Sequence, residues 1–109
     1  MHTIIETDHF SALPKKLLSK TEYDGLIETL SRDPKVGDLM PGTGGFRKLR
    51  LARSGKGKSG GYRVVYFYYS SLNPIYLVSV YAKNQKENLS KAEQNALAAL
   101  AETIKQSGK

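Results

Sequence analysis

Cysteine is absent from the 109 residues, and histidine occurs only at His2 and His9. Without thiols there is no disulfide scaffold, no thiolate metal site and no cysteine nucleophile. The two histidines have no partners at ligand spacing and lie far along the chain from its basic middle. Neither a metal centre nor a histidine-dependent triad is expected. No apolar run approaches the roughly 18 to 20 residues that a membrane-spanning helix needs. Met1-His2-Thr3-Ile4-Ile5-Glu6 has no charged segment leading into an apolar one, so no signal peptide is read there. The composition, 39% hydrophobic with 7 tyrosines, is that of a globular chain. A single domain over residues 1–109 is expected, soluble and cytoplasmic, with no small-molecule cofactor and no membrane partner.

The most informative absence is of acid. From Leu39 to Lys86 there is no Asp or Glu, and there are nine Lys or Arg. The rest of the chain holds eight bases against ten acids, so the formal charge of +7 arises wholly in this middle segment. Such a localised field suits a polyanionic partner rather than describing a generally basic surface.

The apolar spacing gives a coarse map. Thr3 to Thr7 reads as a short strand, and Phe10, Leu13, Leu17 and Leu18 as a first helix capped by Asp8 or Ser11, with Pro14 tolerated in its first turn. Thr21 starts a second helix, with Asp24 three residues after that cap and Tyr23, Leu26, Ile27 and Leu30 as its stripe. Asp33-Pro34 ends it. Val36 to Gly45 reads as a loop. Strands follow near Phe46–Arg53, Tyr62–Tyr69 and Ile75–Lys83, joined by the glycine-rich Ser54–Gly61 connection and a short turn at Ser70–Pro74. Ser90 and Glu93 form a capping box for a last helix, whose stripe is Ala96, Leu97, Leu100 and Ile104. The fold class is α+β: two N-terminal helices, a small antiparallel sheet of three to four strands and one C-terminal helix.

Side chains alternate across a strand, so parity sorts the charges. Leu49 and Leu51 oppose Lys48 and Arg50. Tyr62, Val64, Tyr66 and Tyr68 oppose Arg63, Val65 and Phe67. Tyr76, Val78, Val80 and Ala82 oppose Leu77, Ser79, Tyr81 and Lys83. The aliphatic faces are expected against the helices, leaving Lys48, Arg50, Arg63, Tyr81 and Lys83 together on an open face. A lone strand cation is more often solvated than catalytic. Four cations on one face with an aromatic suit a phosphate backbone and a stacked base. Arg47, Arg53, Lys56, Lys58 and Lys86 extend the basic surface as candidate RNA contacts.

One motif is a decoy. Ala52-Arg53-Ser54-Gly55-Lys56-Gly57-Lys58-Ser59 fits a permissive phosphate-binding loop. That chemistry needs a helix directly after Lys-Ser, and here Gly60-Gly61 and a strand follow.

Taken together, Arg47-Lys48-Leu49-Arg50-Leu51, Gly61-Tyr62-Arg63-Val64-Val65-Tyr66 and Leu77-Val78-Ser79-Val80-Tyr81-Ala82-Lys83-Asn84 resemble the bacterial RelE/ParE toxins. The Gly42-Thr43-Gly44-Gly45 lead-in and the Gly55-Lys56-Gly57-Lys58 turn are most similar to the HigB subgroup. The resemblance covers nearly the whole chain. It implies a ribosome-dependent mRNA endonuclease in which a basic, metal-free site drives the RNA 2′-hydroxyl onto the adjacent phosphate. Its cations carry over to Lys48, Arg50, Arg63 and Lys83. Lys83 stands where RelE has an arginine, and a RelE tyrosine falls at Leu89, with Tyr81 as a substitute on the same face. The implied roles are Arg63 with Lys83 for charge stabilisation, Lys48 and Arg50 for positioning, and Lys48 or Tyr81 for the proton. The resemblance also implies a cognate antitoxin, expected to be of the helix-turn-helix type. It sits either over the cations or, as preferred, on the acid-rich second helix at Glu22, Asp24, Glu28 and Asp33. ParE-type gyrase inhibition and non-catalytic RNA binding are the alternatives.

Overall fold

A computed structural model describes residues 4–6, 19–51, 61–70, 73–82 and 89–107. In chain order these form β1 (Ile4–Glu6), α1 (Lys20–Arg32), β2 (Asp38–Leu39), β3 (Phe46–Leu51), β4 (Tyr62–Phe67), β5 (Ile75–Ala82) and α2 (Lys91–Ser107). The strands make one five-stranded sheet in the order β1-β5-β4-β3-β2. β1 runs parallel to β5, and every other neighbouring pair is antiparallel. The α+β class stands, but the expected antiparallel sheet of three to four strands is in fact a mixed sheet of five. Two features account for the difference. β2 is too short to show alternation and lies inside the expected loop, and a parallel edge needs a long crossover that pattern alone does not reveal. The expected helix from Phe10 to Leu18 and residues 54–60 of the glycine-rich connection lie outside the described residues.

The cap of α1 lies two residues before the expected Thr21. Ser19 is its cap: the Glu22 N–H donates to Ser19 Oγ at 3.1 Å, and the Ser19 N–H donates to the Glu22 carboxylate at 2.9 Å. This reciprocal pair satisfies two donors that a helix start otherwise leaves open. Asp24 instead pairs with Lys20 one turn back. The Ser90–Glu93 capping box of α2 forms as expected.

The helices pack on opposite faces of the sheet. Leu26 and Leu30 of α1, both fully buried, join Leu49, Val64, Tyr66, Ile75, Leu77 and Val80. Ala101 and Ile104 of α2 join Phe46, Val65, Phe67, Val78 and Tyr81. Each fully buried aliphatic side chain contributes roughly 1.5–3 kcal/mol. The face expected to be open is therefore divided. α2 packs over its aromatic end, and the cations occupy the other end.

A β-bulge decides which side chains reach that face. Val65 pairs with Ser79, but Tyr66 pairs with Leu77, so Val78 is an extra residue in β5. Leu77 and Val80 consequently share the α1 face, while Tyr76, Val78 and Tyr81 lie on the α2 face. Strict alternation misplaces Leu77, Tyr76 and Val78 but keeps Tyr81 beside Arg63.

The connection from α1 to β2 is latched by a buried phenol. Tyr66 Oη accepts from the Gly37 N–H at 2.9 Å and donates to the Pro34 carbonyl at 2.8 Å. A Cβ at Gly37 would stand 2.9 Å from the Tyr66 ring and 3.1 Å from the Lys48 carbonyl, so only glycine fits there. The phenol of Tyr66 is pushed above its ordinary value, chiefly by burial. On the outer edge the Tyr23 hydroxyl donates to the Glu6 carboxylate and ties α1 to β1.

Tyr66→Phe removes both latch bonds and should lower stability by about 1–3 kcal/mol, read as a shifted urea midpoint. Gly37→Ala should also destabilise, through steric overlap rather than a lost bond. Tyr23 is pushed up to about 12 from 10.0, first by burial and then by Glu6. A raised value favours the protonated folded state, so this stabilisation is intact below pH 10 and is lost as pH rises through 12. The urea midpoint of Tyr23→Phe should therefore fall less steeply than that of the parent across that window.

Candidate nucleic-acid interface

The β3–β4 register sets Arg50 directly opposite Arg63, and the β4–β5 register sets Arg63 directly opposite Tyr81. One row along, Asp38, Lys48, Val65 and Ser79 are cross-strand neighbours on the same face. The next row, Phe46, Phe67 and Tyr76, lies in the cluster under α2. Like charges facing each other across a sheet repel. Arg50 is exposed and Arg63 half-buried, its Nη1 donating at 3.3 Å to the Tyr62 carbonyl. Tyr81 is only 7% exposed and packs with Val65, Val78 and Ile104.

The structure thus brings together Arg63, Arg50, Lys48 and Tyr81 as parity suggests. Arg47 is elsewhere. It faces the α1 side with Leu49, and its Nη1 donates to the carbonyls of Gly37 at 2.8 Å and Lys35 at 3.2 Å. It stitches down the same loop that Tyr66 holds. Lys83, Arg53, Lys56, Lys58 and Lys86 lie outside the described residues. The acids of α1 are largely engaged within the helix: Asp24 pairs with Lys20, Glu28 with Arg32, and Glu22 closes the cap.

Two features escape the sequence reading. Asp38, one residue before the acid-free window, is carried by β2 to a position beside Lys48. Lys48 also lines a cleft of about 460 Å³ with Met40, Pro41, Leu89, Lys91 and Gln94. The turn forming one side of this cleft explains the Gly42-Thr43-Gly44-Gly45 run. Thr43, fully buried, donates to the Met40 carbonyl at 2.7 Å and accepts from the Phe46 N–H at 3.1 Å. Gly44 has φ 76°, and a Cβ there would stand 3.0 Å from the Ala101 methyl on α2. The one signal for the cleft in the sequence is Lys91, a cation at a helix start, where the helix dipole favours acids.

A sequence-family model described as the RelE toxin of the RelE/RelB toxin–antitoxin system matches residues 4–109. The chain belongs to the RelE toxin family. It is therefore the toxin of a toxin–antitoxin pair, and a cognate antitoxin is its partner. Among the described residues of this RelE-family toxin, no helix is long and apolar enough to cross a membrane.

The Arg50–Arg63 opposition costs stability, so relieving it should do the reverse. Arg50→Thr should raise the unfolding free energy by about 0.5 kcal/mol, measured by urea denaturation. Arg47→Ala should lower it, because two loop carbonyls lose their donor. Equal destabilisation by both variants would mean that Arg50 is a structural residue too.

Proposed function

We propose that this toxin is a ribosome-dependent mRNA endoribonuclease that cleaves in the A site without a metal ion. The observation that carries the reading is the row of Arg50, Arg63 and Tyr81, with Lys48 one row away, at the end of the face beyond the α2-packed cluster. Opposed guanidiniums are favourable once an anion lies between them, and a phosphodiester with its charge rising in the transition state is such an anion. The family membership supports the same reading. The glycine-rich lead-in at Gly42–Gly45, with three left-handed glycines, supports a HigB-like branch and hence a helix-turn-helix antitoxin.

The chemistry balances without an outside reagent. The 2′-oxygen forms a bond to phosphorus as the bond to the 5′-oxygen breaks. The 2′-hydroxyl loses a proton, and the leaving 5′-oxygen gains one. The products are a 2′,3′-cyclic phosphate and a 5′-hydroxyl. Arg63, with Lys83 assisting, stabilises the charge on the non-bridging oxygens. Arg50 and Lys48 hold the strand in line. Of the two candidates for the proton, Lys48 opens onto the cleft, whereas Tyr81 is buried. Lys48 is accordingly the group that meets the 2′-hydroxyl and, as the free amine, takes its proton, while the leaving 5′-oxygen takes a proton from solvent water.

Arg63→Ala should lower cleavage of a ribosome-programmed mRNA by roughly 100- to 1,000-fold, measured by primer extension. The upstream fragment should end in a cyclic phosphate. An upstream 3′-hydroxyl, cleavage without ribosomes, or inhibited gyrase supercoiling with intact mRNA would each contradict the proposal.

A further inference from the structure

We infer that the cleft between the Met40–Gly42 turn and the start of α2 seats a nucleobase of the RNA strand, and that Gln94 and Lys91 make it select guanine. The cleft, about 460 Å³, is large enough for a base with its ribose. Met40, Pro41 and Leu89 give it apolar walls against which a base plane packs, while Lys48, Lys91 and Gln94 supply its polar side chains.

What these groups present is hydrogen-bond donors. Lys91 carries an ammonium group, which only donates. Gln94 is half-buried, and its side-chain oxygen is turned towards the Met40–Gly42 turn. A Cβ on Gly42 would stand 3.0 Å from Gln94 Oε1, and Gly42 has φ 77°, so only glycine allows this approach. In the proposed complex the amide nitrogen is the end that meets the base. Of the acids nearby, Glu93 already accepts from the Ser90 N–H at 2.8 Å, and Asp38, the cross-strand neighbour of Lys48, does not line the cleft. A donor-lined cleft favours the base edge richest in acceptors, which is the N7 and O6 edge of guanine. Adenine presents an amino group there instead. In single-stranded RNA that edge is open to a side chain. The cations also fit the strand that brings the base, and Lys48 belongs at once to this cleft and to the row beside Arg63. The role of the cleft rests on the nuclease reading, in which the seated base neighbours the phosphate that is cleaved.

The test separates the two. The full chain, labelled with ¹⁵N, is titrated with GMP, AMP, CMP and UMP, a measurement that needs no ribosome. GMP should shift the Gly42 N–H and the Gln94 side-chain amide, with about tenfold tighter binding than AMP. Gln94→Glu, which puts an acceptor where a donor was, should remove or invert that preference, and Lys91→Ala should weaken GMP more than the other three nucleotides. Absent shifts at Gly42 and Gln94, equal affinity for the four bases, or an unchanged preference in Gln94→Glu would overturn the inference even if cleavage is confirmed. Guanine-selective shifts in a protein that never cleaves mRNA would uphold the cleft and defeat the nuclease reading. In ribosomal cleavage across a codon library, the same Gln94→Glu variant should lose the parent's guanine preference at one codon position.

Discussion

Arg50 and Arg63 repel each other across β3 and β4, and the surrounding structure holds them together in spite of it. The register that opposes them is fixed from behind, where Leu49 pairs with Val64 and Leu51 with Tyr62 on the α1 side. It is fixed again at the far end, where Phe46 faces Phe67 with ring centroids 4.8 Å apart. A slip of one residue would drive these side chains to the wrong face and bury the guanidiniums, a cost far above the mutual repulsion. Apolar burial on both faces thus holds a charge arrangement that is unfavourable by itself. The same arrangement becomes favourable only when an anion is present.

Two smaller devices aim the site. The bulge at Val78 resets the alternation of β5, so Leu77 serves the core behind the sheet while Tyr81 lies beside Arg63 in front. The Tyr66 latch and the Arg47 contacts pin the loop that leads into β2, and β2 carries Asp38 to Lys48. Arg47 and Arg63 have the same chemistry and sit on neighbouring strands, yet one is a structural staple and the other faces the site. Parity separates them.

Both described helices, the three long strands and the convergence of Lys48, Arg50, Arg63 and Tyr81 were legible in the sequence, whereas Arg47, read there as an RNA contact, is a staple on the loop carbonyls. Each of these rests on local periodicity, which survives folding wherever strands are regular. What was not legible depends on tertiary placement. A two-residue strand has no period, so β2 and the Asp38–Lys48 neighbourhood were hidden. A bulge breaks alternation without leaving a mark in composition, so Leu77 and Tyr76 were put on the wrong faces. Val65 and Phe67 share the face of Arg63 that the sequence reading left open, and only the position of α2 shows that part of it is covered. The cleft joins residues 40 to 48 with 89 to 94, and no spacing rule links segments that far apart.

The central claim is that phosphate lies between Arg50 and Arg63. The most direct measurement is the ¹⁵N spectrum of the arginine side chains during titration with a short RNA carrying a 2′-deoxy residue at the cleavage position, which binds without reacting. The Nε resonances of Arg50 and Arg63 should move together and saturate, while that of Arg47 stays in place. Movement of Arg47, or of none of the three, would place the RNA elsewhere on the molecule and contradict the account.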